Sequence, residues 1–323
     1  MPNIKLPDLY CPFPSANNQY ADAVNQHTLE WVRSFNLIKD ELVYQRWREL
    51  NLPGLAARCY PHASLEALEI ITDLTVWFII NDDNYEKFGL SKKPELLATT
   101  HARFLDILKG DQLANQDDSP ARALGDIQMR LFQYGTPEQI LRFTASMENY
   151  YKGVRWEAQN HSLGITPDVA SYMKIRKLTF GLYPFLEVLK MGEQISIPPE
   201  VIEHPIVKRL ELATSNITSW FNDIFSLKND IWQGVTHNIV LALQHEHQLT
   251  LQKAIDRAAE LHDAEMRIFI DLSAQLPEFG AAVDANLKRY ISSLHFIIRG
   301  SMDWIQGSGR YGAIDLPEQG NRI

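Results

Sequence analysis

The chain predicts an all-α fold, a single-domain helical bundle around a central apolar cavity. Three observations lead there. Apolar residues recur at spacings near 3.6 through most of the chain, no alternating run with a hairpin turn breaks the pattern, and no βαβ rhythm is present. The 323 residues exceed the roughly 150 typical of one domain, yet nothing reads as a linker and no internal repeat is evident. Hydrophobic residues at 45% and charged residues at 22% match ordinary globular usage, which argues against a disordered or fibrous chain.

Residues 1–20 carry four prolines, Pro2, Pro7, Pro12 and Pro14, and read as an N-terminal segment without a signal peptide's basic and apolar regions. Val24, Leu29, Val32 and Phe35 mark the first helix. Ser64 caps a long helix through Leu65, Leu68, Ile71, Leu74 and Phe78 toward Asp82. Thr136-Pro137-Glu138-Gln139 combines a cap, a first-position proline and an acceptor at the third position, opening a helix that runs past Trp156. Thr166-Pro167-Asp168 repeats this start before Val169, Tyr172 and Met173, and Pro184 is expected to kink or end that helix. Pro205 opens a run through Leu210, Ile217, Phe221 and Phe225, and further patterns cover 249–272 and 277–305. Short loops are expected at 51–54, 116–120 and 192–199, and a mobile loop and tail at 307–323.

Composition narrows the function. Lys+Arg is 31 against Asp+Glu 40, a net charge of −9, so a nucleic-acid surface is disfavoured. An anionic ligand would need a local basic cluster or a bound cation. Two cysteines, Cys11 and Cys59, make neither a disulfide framework nor a four-ligand zinc site. The longest apolar runs, such as Val76 to Ile80, fall far short of the roughly 20 residues that span a bilayer. The expectation is a soluble, cytoplasmic protein with no membrane span.

Three constellations carry chemistry. In Asn81-Asp82-Asp83-Asn84-Tyr85-Glu86, Asp82 and Glu86 share a helix face. Like charges at that spacing repel, and a hard cation such as Mg²⁺ would turn the repulsion into a site. Asn222, Ser226 and Asp230 place an amide oxygen, a hydroxyl and a carboxylate in one helical row, all oxygen ligands for such a cation. Near the end, Arg310-Tyr311 follows Gly307-Ser308-Gly309, pairing a phosphate-binding fork with a hydroxyl donor on a loop that glycines loosen. The bland alternatives are a solvated helix end, the polar face of an amphipathic helix and an unremarkable dipeptide.

Taken in order, these residues resemble the bacterial class I terpene synthases, or terpene cyclases. Asp82-Asp83-x-x-Glu86 is similar to the aspartate-rich motif, and Asn222 to Asp230 to the second metal motif, Asn-Asp-x-x-Ser-x-x-x-Glu. Arg176 precedes Asn222 by 46 positions, where the family places its diphosphate-sensing arginine, within Arg176-Lys177-Leu178-Thr179-Phe180-Gly181. Arg310-Tyr311 resembles the terminal Arg-Tyr pair, and Cys11-Pro12-x-Pro14 and His237-Asn238 add to the likeness. The resemblance covers about Pro7 to Tyr311.

It implies a prenyl diphosphate substrate, three Mg²⁺ ions held by Asp82, Asp83, Glu86, Asn222, Ser226 and Asp230, and diphosphate contacts from Arg176, Lys228, Arg310 and Tyr311. Ionisation would leave an allylic cation in an apolar pocket, where a desolvated ring face contributes on the order of 2 kcal/mol. Phe78 and Trp304 are the first candidates for that lining, with Phe180, Trp77 and Tyr60 behind them. Farnesyl diphosphate and a cyclic sesquiterpene of germacrene or eudesmane type are expected, and relatives often pair as homodimers. Two departures stand out: Asp230 replaces the commoner Glu, and Asn229 replaces a lysine, with Lys228 one position earlier and about 100° round the helix.

The alternatives are a mono- or diterpene synthase using geranyl or geranylgeranyl diphosphate, a chain-elongating prenyltransferase, which would need a second aspartate-rich motif, and a non-catalytic helical protein that binds an apolar ligand. Gly307-x-Gly309-x-x-Gly312 matches a dinucleotide fingerprint but lacks the βαβ setting. Asp117-Asp118 lacks an acidic partner one turn on, and His262-Asp263, with His245 and His247, reads as surface.

Overall fold

The computed structural model describes residues 4–87, 89–90 and 93–308. Among them the chain forms helices and no strand. In order these are α1 (Ala21–Ser34), α2 (Glu41–Glu49), α3 (Pro53–Cys59), α4 (Leu65–Lys87), α5 (Pro94–Leu108), α6 (Ser119–Tyr134) and α7 (Pro137–Leu163). There follow α8 (Val169–Thr179), α9 (Leu182–Gly192), α10 (Pro199–Ile202), α11 (Pro205–Gln233), α12 (Ile239–His247), α13 (Leu251–Ser273) and α14 (Ala281–Gly307). No described helix is long and apolar enough to cross a membrane.

Most starts are set by side chains that accept from orphan amides. Ser64 Oγ accepts from Ala67 N–H at 3.3 Å, Thr136 and Gln139 form a full capping box, and Thr250 caps α13. Three expectations change. Asp168, not Thr166, caps α8, because its carboxylate reaches the Ser171 amide at 2.8 Å. The break after α8 falls at Phe180 and Gly181 rather than at Pro184. Gly181 takes a left-handed φ of 76°, and Pro184 sits in the first turn of α9, where its missing N–H costs nothing. The segment at 51–54 is only half loop, since Pro53 starts α3 at its first position.

The main core gathers buried residues of α1, α3, α4, α7, α9, α11 and α14, with Leu68, Ile71, Leu74, Leu210, Ile217, Leu294 and Ile298 fully enclosed. Gly300 lets α14 close on α3: a Cβ there would stand 2.6 Å from the Arg58 carbonyl carbon. A second cluster packs Trp220, Ile224 and Leu227 of α11 against Ile239, Val240, Leu243 and Ile255 of α12 and α13. This fixes the orientation of α11. With 220, 224 and 227 turned into that cluster, the row at 222, 226 and 230 must lie on another face.

Candidate active site

Asp82 and Asp83 stand exposed in the last turns of α4, and Glu86 follows one turn after Asp82 on the same helix. One turn before Asp82, Phe78 is buried among rings: its centroid lies 4.9 Å from Tyr150 and 5.1 Å from Phe185. Helical spacing therefore places a carboxylate directly above an aromatic cluster.

On α11 the polar row is tied together. Ser226 Oγ donates to Asp230 Oδ2 at 2.8 Å, and Asn238 Nδ2 donates to the same oxygen at 2.8 Å. Asn238 also donates to the Asp223 carbonyl at 2.7 Å, so the start of α12 braces the row. Burial, with the Asp223 charge nearby, pushes the Asp230 carboxyl up to about 6, against the hydrogen bonds from Asn238 and Ser226. A carboxylate so placed gains from a cation.

Asp223 is the centre of a buried cluster. Its carboxylate accepts from the Tyr172 hydroxyl, from Arg176 Nη2 at 2.7 Å and from the Ile239 amide at 2.9 Å. Burial raises its pKa, while these partners oppose the rise. Arg176 Nη2 also reaches Asn222 Oδ1 at 3.2 Å, and its guanidinium lies 5.3 Å from the Phe180 ring centroid. Burial disfavours the Arg176 charge, but Asp223, Tyr172, Glu157 and Asp230 outweigh it and hold its pKa above the ordinary value. Its Nε–H is buried and has no partner among the described residues. A donor left over in this way is unusual and points to a ligand acceptor.

Glu157 on α7 links the two halves. Its carboxyl is pushed up to about 7 by burial, lowered by Arg176 and by a hydrogen bond from Thr179, and raised by the charges of Asp82 and Asp223. One side chain thus feels Asp82 from α4 and Arg176 and Asp223 from α8 and α11. The end of α4 and the arginine cluster lie at the same end of the bundle.

Other expected residues fall elsewhere. Trp77 donates its indole N–H to the Pro120 carbonyl at 2.8 Å, which turns it toward α6. Trp304 donates to the Asn51 carbonyl at 2.9 Å, on the α3 side of α14. The carbonyl of Tyr60, just after α3, accepts from Asn18 at 2.8 Å. Lys228 is exposed. Arg310 and Tyr311 lie outside the described residues. His262, expected at the surface, is fully buried on the core side of α13, where its Nδ1 meets Asp263 Oδ1 at 3.0 Å. Asp117 is a buried partner of Arg103, at 2.8 and 2.7 Å. A polar cleft of about 470 Å³ between His62, Glu193 and Arg289 lies near the start of α4, at the far end of that helix from Asp82.

Asp223, Tyr172, Asn238, Glu157, Tyr150 and Phe185 join this region without a role that the sequence alone assigns. Asp223 and Asn238 stood within the quoted motifs; the others carry no local signal, since their partners are remote in sequence.

Comparison with known proteins bears on this arrangement. The family model described as terpene synthase family 2, C-terminal metal binding, matches residues 73–268. A germacrene A synthase of Nostoc punctiforme is 37% identical over 98% of both chains. A (+)-T-muurolol synthase of Roseiflexus castenholzii, described as cyclising (2E,6E)-farnesyl diphosphate, is 36% identical over 94% of this chain and 93% of its own. Among solved structures, the SVS_A2 protein from ancestral sequence reconstruction superposes with a TM-score of 0.86 at 26% identity, covering 94% of this chain and 90% of that one. Germacradien-4-ol synthase from Streptomyces citricolor shares the fold, with a TM-score of 0.82 at 22% identity over 93% and 98% of the two chains.

Proposed function

The chain belongs to the terpene synthase family, and we propose that it is a class I, Mg²⁺-dependent cyclase that converts farnesyl diphosphate to a cyclic sesquiterpene and diphosphate. The relatives named above support the fifteen-carbon substrate, and the germacrene A synthase supports a product of germacrene or eudesmane type. The observation that carries the reading is Arg176: a largely buried guanidinium fixed by Asp223 and Asn222, with its Nε–H unpartnered among the described residues, at the same end of the bundle as Asp82.

The donor set fits the metal. Asp82 and Asp83 offer exposed carboxylates, and Asn222, Ser226 and Asp230 offer an amide oxygen, a hydroxyl and a half-buried carboxylate, all hard oxygen donors. With Glu86 they would hold the three Mg²⁺ ions expected. Bound Mg²⁺ supplies positive charge that stabilises the leaving diphosphate. Arg176 offers its Nε–H to a diphosphate oxygen, and Arg310 and Tyr311 would add donors. The substrate's carbon–oxygen bond breaks with its electron pair leaving on the diphosphate. The allylic cation then meets the rings of Phe78, Tyr150, Phe185 and Phe180 instead of water. Ring closure and loss of a proton give the hydrocarbon. The same reading takes the chain to act in the cytoplasm and to pair as a homodimer, which sedimentation of the purified protein tests.

The Asp82→Asn variant tests the metal assignment. Asp82 is exposed, so the fold is expected to hold, while diphosphate release falls on the order of a hundredfold and needs more Mg²⁺. A folded variant with wild-type turnover and Mg²⁺ dependence removes Asp82 from the metal site.

A further inference from the structure

Helix α8 ends at Thr179, and the chain passes through Phe180 and Gly181 into α9. This turn bears on the site in two ways. A Cβ at Gly181 would stand 3.2 Å from Phe78 Cε1 and 3.5 Å from Tyr150 Cε2, so its backbone rests on the aromatic cluster. The Phe180 ring lies under the Arg176 guanidinium. A displacement of the turn therefore shifts the aromatic surface and the arginine together.

What fixes the turn comes from α7. At Gly153 a Cβ would meet Thr179 Cγ2 at 2.8 Å, Leu178 Cβ at 3.1 Å and the Thr179 amide nitrogen at 3.4 Å. Only a glycine lets the end of α8 settle this close. Four residues on, hence on the same face of α7, Glu157 Oε1 accepts from Thr179 Oγ1 at 2.6 Å. Thr179 is thus held on two sides: its methyl seats over Gly153 and its hydroxyl is tied to Glu157.

We propose that Gly153, Glu157 and Thr179 form a lock between α7 and α8 that sets where the Phe180–Gly181 turn stands against the substrate, making them positioning residues that determine product specificity. The inference rests on the reading of Arg176 and Phe78 as substrate-facing. A merely structural contact would affect stability and leave the product pattern alone. A lock acts on chemistry, because small misplacement of groups around a reacting centre is costly in rate.

The test compares products from farnesyl diphosphate and Mg²⁺ by gas chromatography with mass spectrometry, together with kcat and KM for diphosphate release. Gly153→Ala forces Thr179 outward and is expected to change the product ratio and lower kcat on the order of tenfold at little changed KM. Thr179→Ser removes the crowded methyl and keeps the hydroxyl, so Gly153→Ala/Thr179→Ser is expected to move the ratio back toward wild type. Glu157→Gln keeps an oxygen acceptor for Thr179 and should keep the wild-type ratio, whereas Glu157→Met should alter it. Circular dichroism reports folding. If Gly153→Ala fails to fold, the Glu157 pair decides. Folded Gly153→Ala or Glu157→Met with wild-type products and kcat overturns the lock. A wild-type protein that makes no product overturns the functional reading itself, and the lock with it.

Discussion

Breaking the Arg176–Asp223 pair has a calculable consequence. The Asp223 side chain is 1% exposed and that of Arg176 is 16% exposed, so solvent screens the pair little. Removing one partner of a buried ion pair costs about 3–5 kcal/mol, because the other charge is left uncompensated. In Arg176→Met, Asp223 would keep the Tyr172 hydroxyl and the Ile239 amide, which places the loss at the lower end, about 3 kcal/mol. Asp223→Asn strands the guanidinium with the Asn222 amide oxygen and turns an NH₂ toward donors, a similar loss of about 3 kcal/mol. The double variant leaves no charge uncompensated. Its loss should fall short of the sum by about 2 kcal/mol, within the range seen for contacting residues. Equilibrium urea unfolding of the four proteins, followed by circular dichroism at pH 7, measures this. Losses that add to within about 0.5 kcal/mol refute the coupling, and a loss below about 1 kcal/mol for Arg176→Met refutes the buried pair.

Two further outcomes follow from packing and burial. Gly300→Ala would set a methyl against backbone atoms of Arg58 and Cys59 at 2.6 to 2.8 Å; backbone cannot rotate away, so a loss of about 3 kcal/mol, the upper end for overpacking, is expected by thermal melting. A wild-type melting temperature would contradict the close α3–α14 contact. Burial pushes the His101 imidazole down to about 3, so below pH 6.5 the unfolded chain binds a proton that the folded one refuses, and stability falls with pH until the folded group titrates. His101→Phe preserves a ring against Tyr151, now 4.2 Å away and nearly parallel, and abolishes that titration. Between pH 7.5 and 5.0 the wild type should lose about 2 kcal/mol more than the variant, and equal losses in urea unfolding would refute it.

Whether a feature was legible in the sequence depended on how local its cause is. The capping box of Thr136 and Gln139 and the spacing of Asp82 and Glu86 are set within one helical turn, and α4, α7 and α11 follow their patterns. The α8–α9 break is not legible at Gly181, because Pro184 looks like the local breaker but breaks only a helix interior, and the first turn of α9 tolerates it. His262 looked like surface because a histidine beside an aspartate carries no sign of burial; only the packing of α13 against α11 encloses it. The same limit applies to the site. Asn222, Ser226 and Asp230 announce themselves by period, whereas Tyr172 and Glu157 act on residues 51 and 22 positions away, contacts that no local pattern encodes.

The most direct test of the central claim is a product assay. Purified protein is incubated with geranyl, farnesyl and geranylgeranyl diphosphates, with and without Mg²⁺, under an organic overlay, and the volatiles are resolved by gas chromatography with mass spectrometry. The account predicts a cyclic fifteen-carbon product from farnesyl diphosphate alone, lost when Mg²⁺ is withheld. Folded protein that releases no product from any of the three, beside an active control enzyme, would contradict it.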